Sequence, residues 1–128
     1  MPRIATGTLI AESLRVGTTL DGVPLTVHRI ERVEPDNISD EQRAAGLPSR
    51  WTLLFFEIPD DDAPRLADAL AAILDVPGWY VDFHTADESF VVFSGAVFRY
   101  AKGDGEARAD AEAHAREHGV PEAQIDWP

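Results

Sequence analysis

The chain contains no cysteine in 128 residues. A disulfide framework, a thiol nucleophile and a thiolate metal site are thereby excluded. It is also poor in bases, with 11 Lys and Arg against 23 Asp and Glu and a formal net charge of −12. Phosphate-mediated binding of nucleic acid needs a basic surface, and so does docking on anionic lipid; neither is expected. No window reaches the roughly 18 apolar residues of a membrane span. Met1-Pro-Arg-Ile-Ala-Thr-Gly7 holds no apolar stretch of signal-peptide length. The expectation is a soluble cytoplasmic protein without membrane contact. Catalytic signatures are equally scarce. Ser94-Gly95 falls in a hairpin turn rather than a G-x-S-x-G elbow. Gly103-Asp-Gly105 precedes a helix but lacks the Walker lysine, and Asp104 and Glu106 repel phosphate. Asp60-Asp61-Asp62 lacks EF-hand spacing and leads into Pro64, which favours helix capping over calcium. No cofactor is expected.

The acids run from Glu12 to Asp126 with Asp60 to Asp62 as their only run. Two readings stay open. Dispersed negative charge keeps a small protein soluble, or it offers a surface to a basic partner.

What the chain does have is a dense aromatic and β-branched region. Trp79-Tyr-Val-Asp-Phe-His84, Ser89-Phe-Val-Val-Phe93 and Val97-Phe-Arg-Tyr100 follow each other with only short polar breaks. Together they carry seven of the eleven aromatic residues. Such runs predict an antiparallel meander around which a core forms. Upstream, alternation predicts a strand over Thr6–Leu14 and a second over Leu25–Val33. Ile30 falls out of phase with Leu25 and Val27, which predicts a bulge or bend near His28. Ser39 and Gln42 have capping-box spacing inside the polar stretch from Glu34 to Ser49, with Gly46 and Pro48 as stops. Trp51–Ile58 is apolar on both faces and reads as a central strand covered on both sides. Leu66, Leu70 and Ile73 form the apolar stripe of a helix that Pro77-Gly78 ends. Glu106–His118 reads as an alanine-rich helix with Ala107, Ala111 and Ala115 on its packing side, stopped at Gly119. Ile125 and Trp127 suggest a tail pinned to the body.

The predicted fold is therefore a single α+β domain over residues 1–128: a mainly antiparallel sheet of about six strands, in the order β-β-β-α-β-β-β-α, with two packed helices. If Trp79, Val81 and Phe83 face the helices, Tyr80, Asp82 and His84 face away. Arg99 is then a candidate to meet Asp82 across the sheet. Tyr80, Asp82, His84 and Arg99 form the candidate binding face; an ordinary solvated face with cross-strand ion pairs is the competing reading. Asp110, His114 and His118 have the spacing to share a metal on one helix face. That set lacks a third nitrogen or sulfur ligand and adjoins the alanine packing row, so no metal is expected there.

Gly78-Trp-Tyr-Val-Asp-Phe83, Val91-Val-Phe93, Val97-Phe-Arg-Tyr100 and Gly119-Val-Pro-Glu-Ala-Gln-Ile-Asp-Trp127 resemble a group of small uncharacterised bacterial proteins with the layout WYVDF…VVF…VFRY…GVPEAQIDW. The resemblance covers about residues 51–127. It implies no chemistry, but it does imply that the tail from Val120 to Trp127 belongs to the fold. Three functional classes follow. The first is a non-catalytic acidic binding or accessory protein engaging a protein partner, an immunity- or antitoxin-like role among them. The second is a small-molecule-binding protein or minor enzyme using the polar face of the meander. The third is a homo-oligomer subunit, such as a dimer covering Trp51, Leu53 and Phe55. A pocket where the polar candidates converge favours a ligand, and a flat sheet favours a partner.

Overall fold

The computed structural model describes residues 3–35, 39–44 and 46–128. Six strands form one antiparallel sheet: β1 (Ile4–Ile10), β2 (Thr26–Val33), β3 (Trp51–Pro59), β4 (Tyr80–His84), β5 (Glu88–Phe93) and β6 (Ala96–Ala101). Their spatial order is β2-β3-β1-β4-β5-β6. Three helices accompany them: α1 (Asp40–Ala44), α2 (Ala63–Ile73) and α3 (Gly105–Glu117). This is the α+β class expected, and the short α1 falls in the polar stretch where the Ser39–Gln42 capping-box spacing pointed to a helical turn. α1 opens with the reciprocal capping box, Gln42 N–H donating to Ser39 Oγ at 3.1 Å and Ser39 N–H to Gln42 Oε1 at 3.2 Å. The bulge in β2 falls between Val27 and Arg29, at His28.

The two long helices lie on opposite faces of the sheet, because β5 is apolar on both. Phe90 and Val92 join Val81, Phe83, Phe56 and Ile58 against Leu66 and Leu70 of α2. Val91 and Phe93 turn the other way, with Tyr100, to meet Ala111 and Ala115 of α3 and the tail residues Val120 and Trp127. Leu66 and Leu70 are fully buried; each contributes about 1.5–3 kcal/mol by leaving water. The alanine row lets α3 lie close on β6, and Asp104 Oδ1 caps it by accepting from Ala107 N–H at 3.1 Å.

The sheet is joined at its centre by a short ladder. β1 and β4 pair only through Thr6 with His84 and Gly7 with Phe83. A Cβ at Gly7 would stand 2.6 Å from Phe83 Cβ and 2.8 Å from the Asp82 carbonyl oxygen. Glycine here is a packing requirement, since no side chain fits between β1 and β4.

Several expectations are corrected. The first strand ends at Ile10 and a 3-10 turn takes its place over Ala11–Ser13, where Ser13 Oγ donates to Ile10 O at 2.6 Å. Asp60 to Asp62 form a 3-10 turn; Asp62 stands at the N-cap position of α2 but its carboxylate makes no cap hydrogen bond and pairs with Arg65 at 2.7 Å. Trp79 does not face α2. It lies just before β4 and packs at a tilt on Trp51, ring centroids 5.4 Å apart, in a small third cluster with Leu47 on the opposite face. Trp51 is thus covered within the chain, and Arg29 lies over Phe55 at 4.9 Å. Leu53 and Phe55 of the same strand face are half-buried.

Candidate functional site

On the face away from α2, the α3 and tail cover reaches only as far as β4. Beyond it the cluster of Leu47, Trp51 and Trp79 covers Ile10 and Leu53, and the remaining residues of this face on β1, β3 and β2 are half-buried or exposed. Tyr80, Asp82 and His84 do share this face. Arg99 does not. Its strand position pairs with Phe90, on the α2 face, and its guanidinium stacks over that ring at 5.1 Å. Alternation along β5 and β6 therefore separates it from Asp82, whose own partner on β5 is Val91. Arg99 instead makes a two-bond ion pair with Glu88, at 2.7 and 2.9 Å. That hydrogen bonding holds the Glu88 carboxyl below its ordinary range, as expected for a charge-assisted pair.

Two of these residues, Asp82 and His84, are tied with Ser89 into a chain of hydrogen bonds. His84 Nε2 lies 2.7 Å from Asp82 Oδ2, and His84 Nδ1 lies 2.9 Å from Ser89 Oγ. A carboxylate oxygen accepts from Nε2, while the direction of the Nδ1–Ser89 bond follows the state of the ring. The set Ser-His-Asp invites comparison with a hydrolase triad. Two features separate them. The ring nitrogens have exchanged roles, since a triad presents Nε2 to the serine and Nδ1 to the aspartate. And Ser89 is wholly buried, with the Pro128 carbonyl 3.5 Å from its hydroxyl and Tyr100 as its cross-strand partner. No substrate reaches that oxygen. Tyr100 hydroxyl is buried without a hydrogen bond of good geometry, and burial raises its pKa, with the nearby Ser89 opposing.

Tyr80 is similarly committed. Its hydroxyl donates to the Gln124 carbonyl at 2.8 Å, and its ring meets Trp127 edge-on at 5.4 Å. Burial drives its pKa well above the ordinary phenol range, and the charges of Asp82 and Asp126 add to the shift. Both carboxylates therefore stand within electrostatic reach of one hydroxyl. Tyr80 holds the tail in place and is no acid or base near neutral pH.

What remains free is a cleft of about 210 Å3. Five segments build it. β1 and β3 give its floor, Thr8, Ile10 and Leu53; Trp51 and Trp79 give an apolar wall; Asp82 and the tail residue Asp126 give the acidic side; and Gln42 of α1 closes it. No Lys, Arg or His is among its lining residues. Gln42 is 4 % exposed. Its Oε1 is held by Ser39, and Nε2 is buried beside Gly78 without a hydrogen-bond partner among the described residues. Such an orphaned donor costs about 1–3 kcal/mol until something accepts from it. A shallower hollow continues along the same face past Thr8 and Asp82 to Thr6, His28 and Glu57.

Sequence reading found Tyr80 and Asp82 but missed Asp126, Trp79 as a wall, and Gln42. The capping-box signal did single out Gln42, but as a helix cap. Asp126 carried no signal beyond its position in a pinned tail.

The second candidate set lies elsewhere. The His114 and His118 rings stack at 4.0 Å. His114 also packs on Phe93 at 4.6 Å and Phe98 at 5.2 Å, with Nε2 buried and unpartnered. His118 Nδ1 is 2.8 Å from the His114 carbonyl. Asp110 is exposed, and no group of three metal-ligating side chains occurs among the described residues. Among them, too, no helix is long and apolar enough to cross a membrane. No family model, no curated protein and no solved structure matches the chain.

Proposed function

We propose that this is a non-catalytic binding protein that engages a protein partner through the cleft between Trp79, Asp82, Asp126 and Gln42. The observation that carries the reading is a division of labour on one face. The chemically active groups, His84, Ser89 and Tyr80, are spent on one another and on the tail. The cleft beside them keeps an uncommitted carboxylate and an uncommitted amide. The acidic composition of the whole chain, −12, would speed association with a basic partner. In this reading the protein works in the cytoplasm as an accessory to that partner.

The test is capture of the partner with the tagged protein, beside a variant carrying Asp82→Asn and Asp126→Asn, followed by NMR mapping with the captured partner. Support consists of amide shifts at Thr8, Trp79, Asp82 and Gln124, and loss of capture by the variant at unchanged melting temperature. Shifts confined to the β6 edge or to α3, with capture retained by the variant, overturn the assignment.

A further inference from the structure

The cleft's chemistry says more than its location. Resting on the reading of the cleft as the binding site, we propose that it takes a basic side chain of a peptide. The cationic head pairs with Asp82 and Asp126, the methylene stem lies along Trp79, Ile10 and Leu53, and a peptide carbonyl accepts from Gln42 Nε2.

Three independent features lead there. The first is charge. Asp126 has no ion pair among the described residues, and Asp82 uses only Oδ2, toward His84, leaving Oδ1 without a hydrogen bond among them. Among the described residues no Lys, Arg or His lines the cleft to satisfy these oxygens. An entering ammonium or guanidinium finds acceptors that are not already paired. The combined effect of both carboxylates on the Tyr80 hydroxyl is consistent with their convergence.

The second is the orphan amide. Because Ser39 N–H fixes Oε1, the unpartnered end of Gln42 is the donor end. A donor calls for an acceptor, so a bare cation leaves it unsatisfied. An anionic acceptor would meet two aspartates and a chain of charge −12. A neutral carbonyl meets neither objection. Cation and neutral carbonyl on one short scaffold describe a basic residue within a peptide.

The third is the wall between these ends. Trp51 and Trp79, with Ile10 and Leu53, offer an apolar surface. The aliphatic stem of arginine or lysine buries well on such a surface while its head stays in a polar setting.

The full-length protein is titrated by calorimetry and by 1H–15N NMR with N-acetyl-arginine amide, N-acetyl-lysine amide, N-acetyl-citrulline amide and agmatine. Citrulline keeps the shape of arginine and removes its charge; agmatine keeps the charge and removes the carbonyl. The expected result is binding of the arginine or lysine probe with shifts at Asp82, Asp126 and Trp79. The citrulline probe should be about tenfold weaker or worse, the scale of a lost charge-assisted bond. Asp126→Asn, at an exposed position, should weaken the basic probe by a larger factor than the citrulline probe, at an unchanged melting temperature. Citrulline binding in the cleft as well as arginine overturns the basic class while the cleft stands. Agmatine equal to the arginine probe overturns the role given to Gln42 and the peptide source. No shift at the cleft with any probe overturns both the class and the cleft.

Discussion

Replacing Gly7 with alanine adds one methyl group, and the structure dictates where it goes. The new Cβ would sit 2.6 Å from Phe83 Cβ, 2.8 Å from the Asp82 carbonyl oxygen and 3.0 Å from Phe56 Cζ. In an accommodating strand the change would stabilise by about 0.4–1 kcal/mol, through the unfolded chain. Here the first two neighbours are a Cβ and a backbone oxygen, which cannot swing aside as the end of a flexible side chain can. Overpacking typically costs about 1–3 kcal/mol, and this geometry belongs at the top of that range. β1 meets β4 through only two residue pairs, so the strain falls on the narrowest join in the sheet. A loss of about 3 kcal/mol lowers the melting temperature of a domain this size by roughly 10 °C. The assay is urea unfolding followed by tryptophan fluorescence, with Gly105→Ala as control. At Gly105 the nearest atom to a new Cβ is a flexible Arg108 nitrogen at 3.6 Å, and the position starts α3, so that variant should match the parent or exceed it. A Gly7→Ala midpoint equal to the parent's would refute the reasoning about the join. Because Asp82 supplies one of the blocking atoms, the variant should also shift the cleft amides.

Acidification should destabilise the fold through His114, whose pKa is lowered first by burial and then by the His118 charge, with Glu117 opposing. A base depressed in the folded state keeps its full contribution above its unfolded value of about 6.5 and loses it as pH falls through the folded value. His114→Leu should therefore flatten the stability curve below pH 6.5, and an unchanged curve assigns the acid limb elsewhere. Trp127→Ala removes a ring that is 5 % exposed and packed on Tyr80 and Phe93. It should cost about 3 kcal/mol and raise hydrogen exchange in β5 and the tail, and normal protection there would count against the pinned tail. Ser89 should resist labelling by a fluorophosphonate at neutral pH; stoichiometric labelling would reopen hydrolysis.

Much of the fold was legible in the chain because its signals are local. The period-two runs marked five of the six strands closely, and the phase slip at Ile30 located the β2 bulge. The alanine row of α3 named its buried face. What was not legible depended on partners distant in sequence. Two packed helices could be read, but not that β5, apolar on both faces, would place them on opposite sides. Tyr80, Asp82 and His84 were rightly grouped by alternation along one strand. Arg99 was misplaced because its face depends on register across β5, which no local pattern records. The cleft draws on residues from Thr8 to Asp126. Only the closed sheet and the folded-back tail bring those together.

The most direct measurement is a crystal structure of the protein soaked with N-acetyl-arginine amide at a concentration that saturates binding in solution. The expected result is a guanidinium within hydrogen-bonding distance of Asp82 Oδ1 and Asp126, with a carbonyl of the probe accepting from Gln42 Nε2. A probe seated on another face, or a cleft left empty at that concentration, would contradict it.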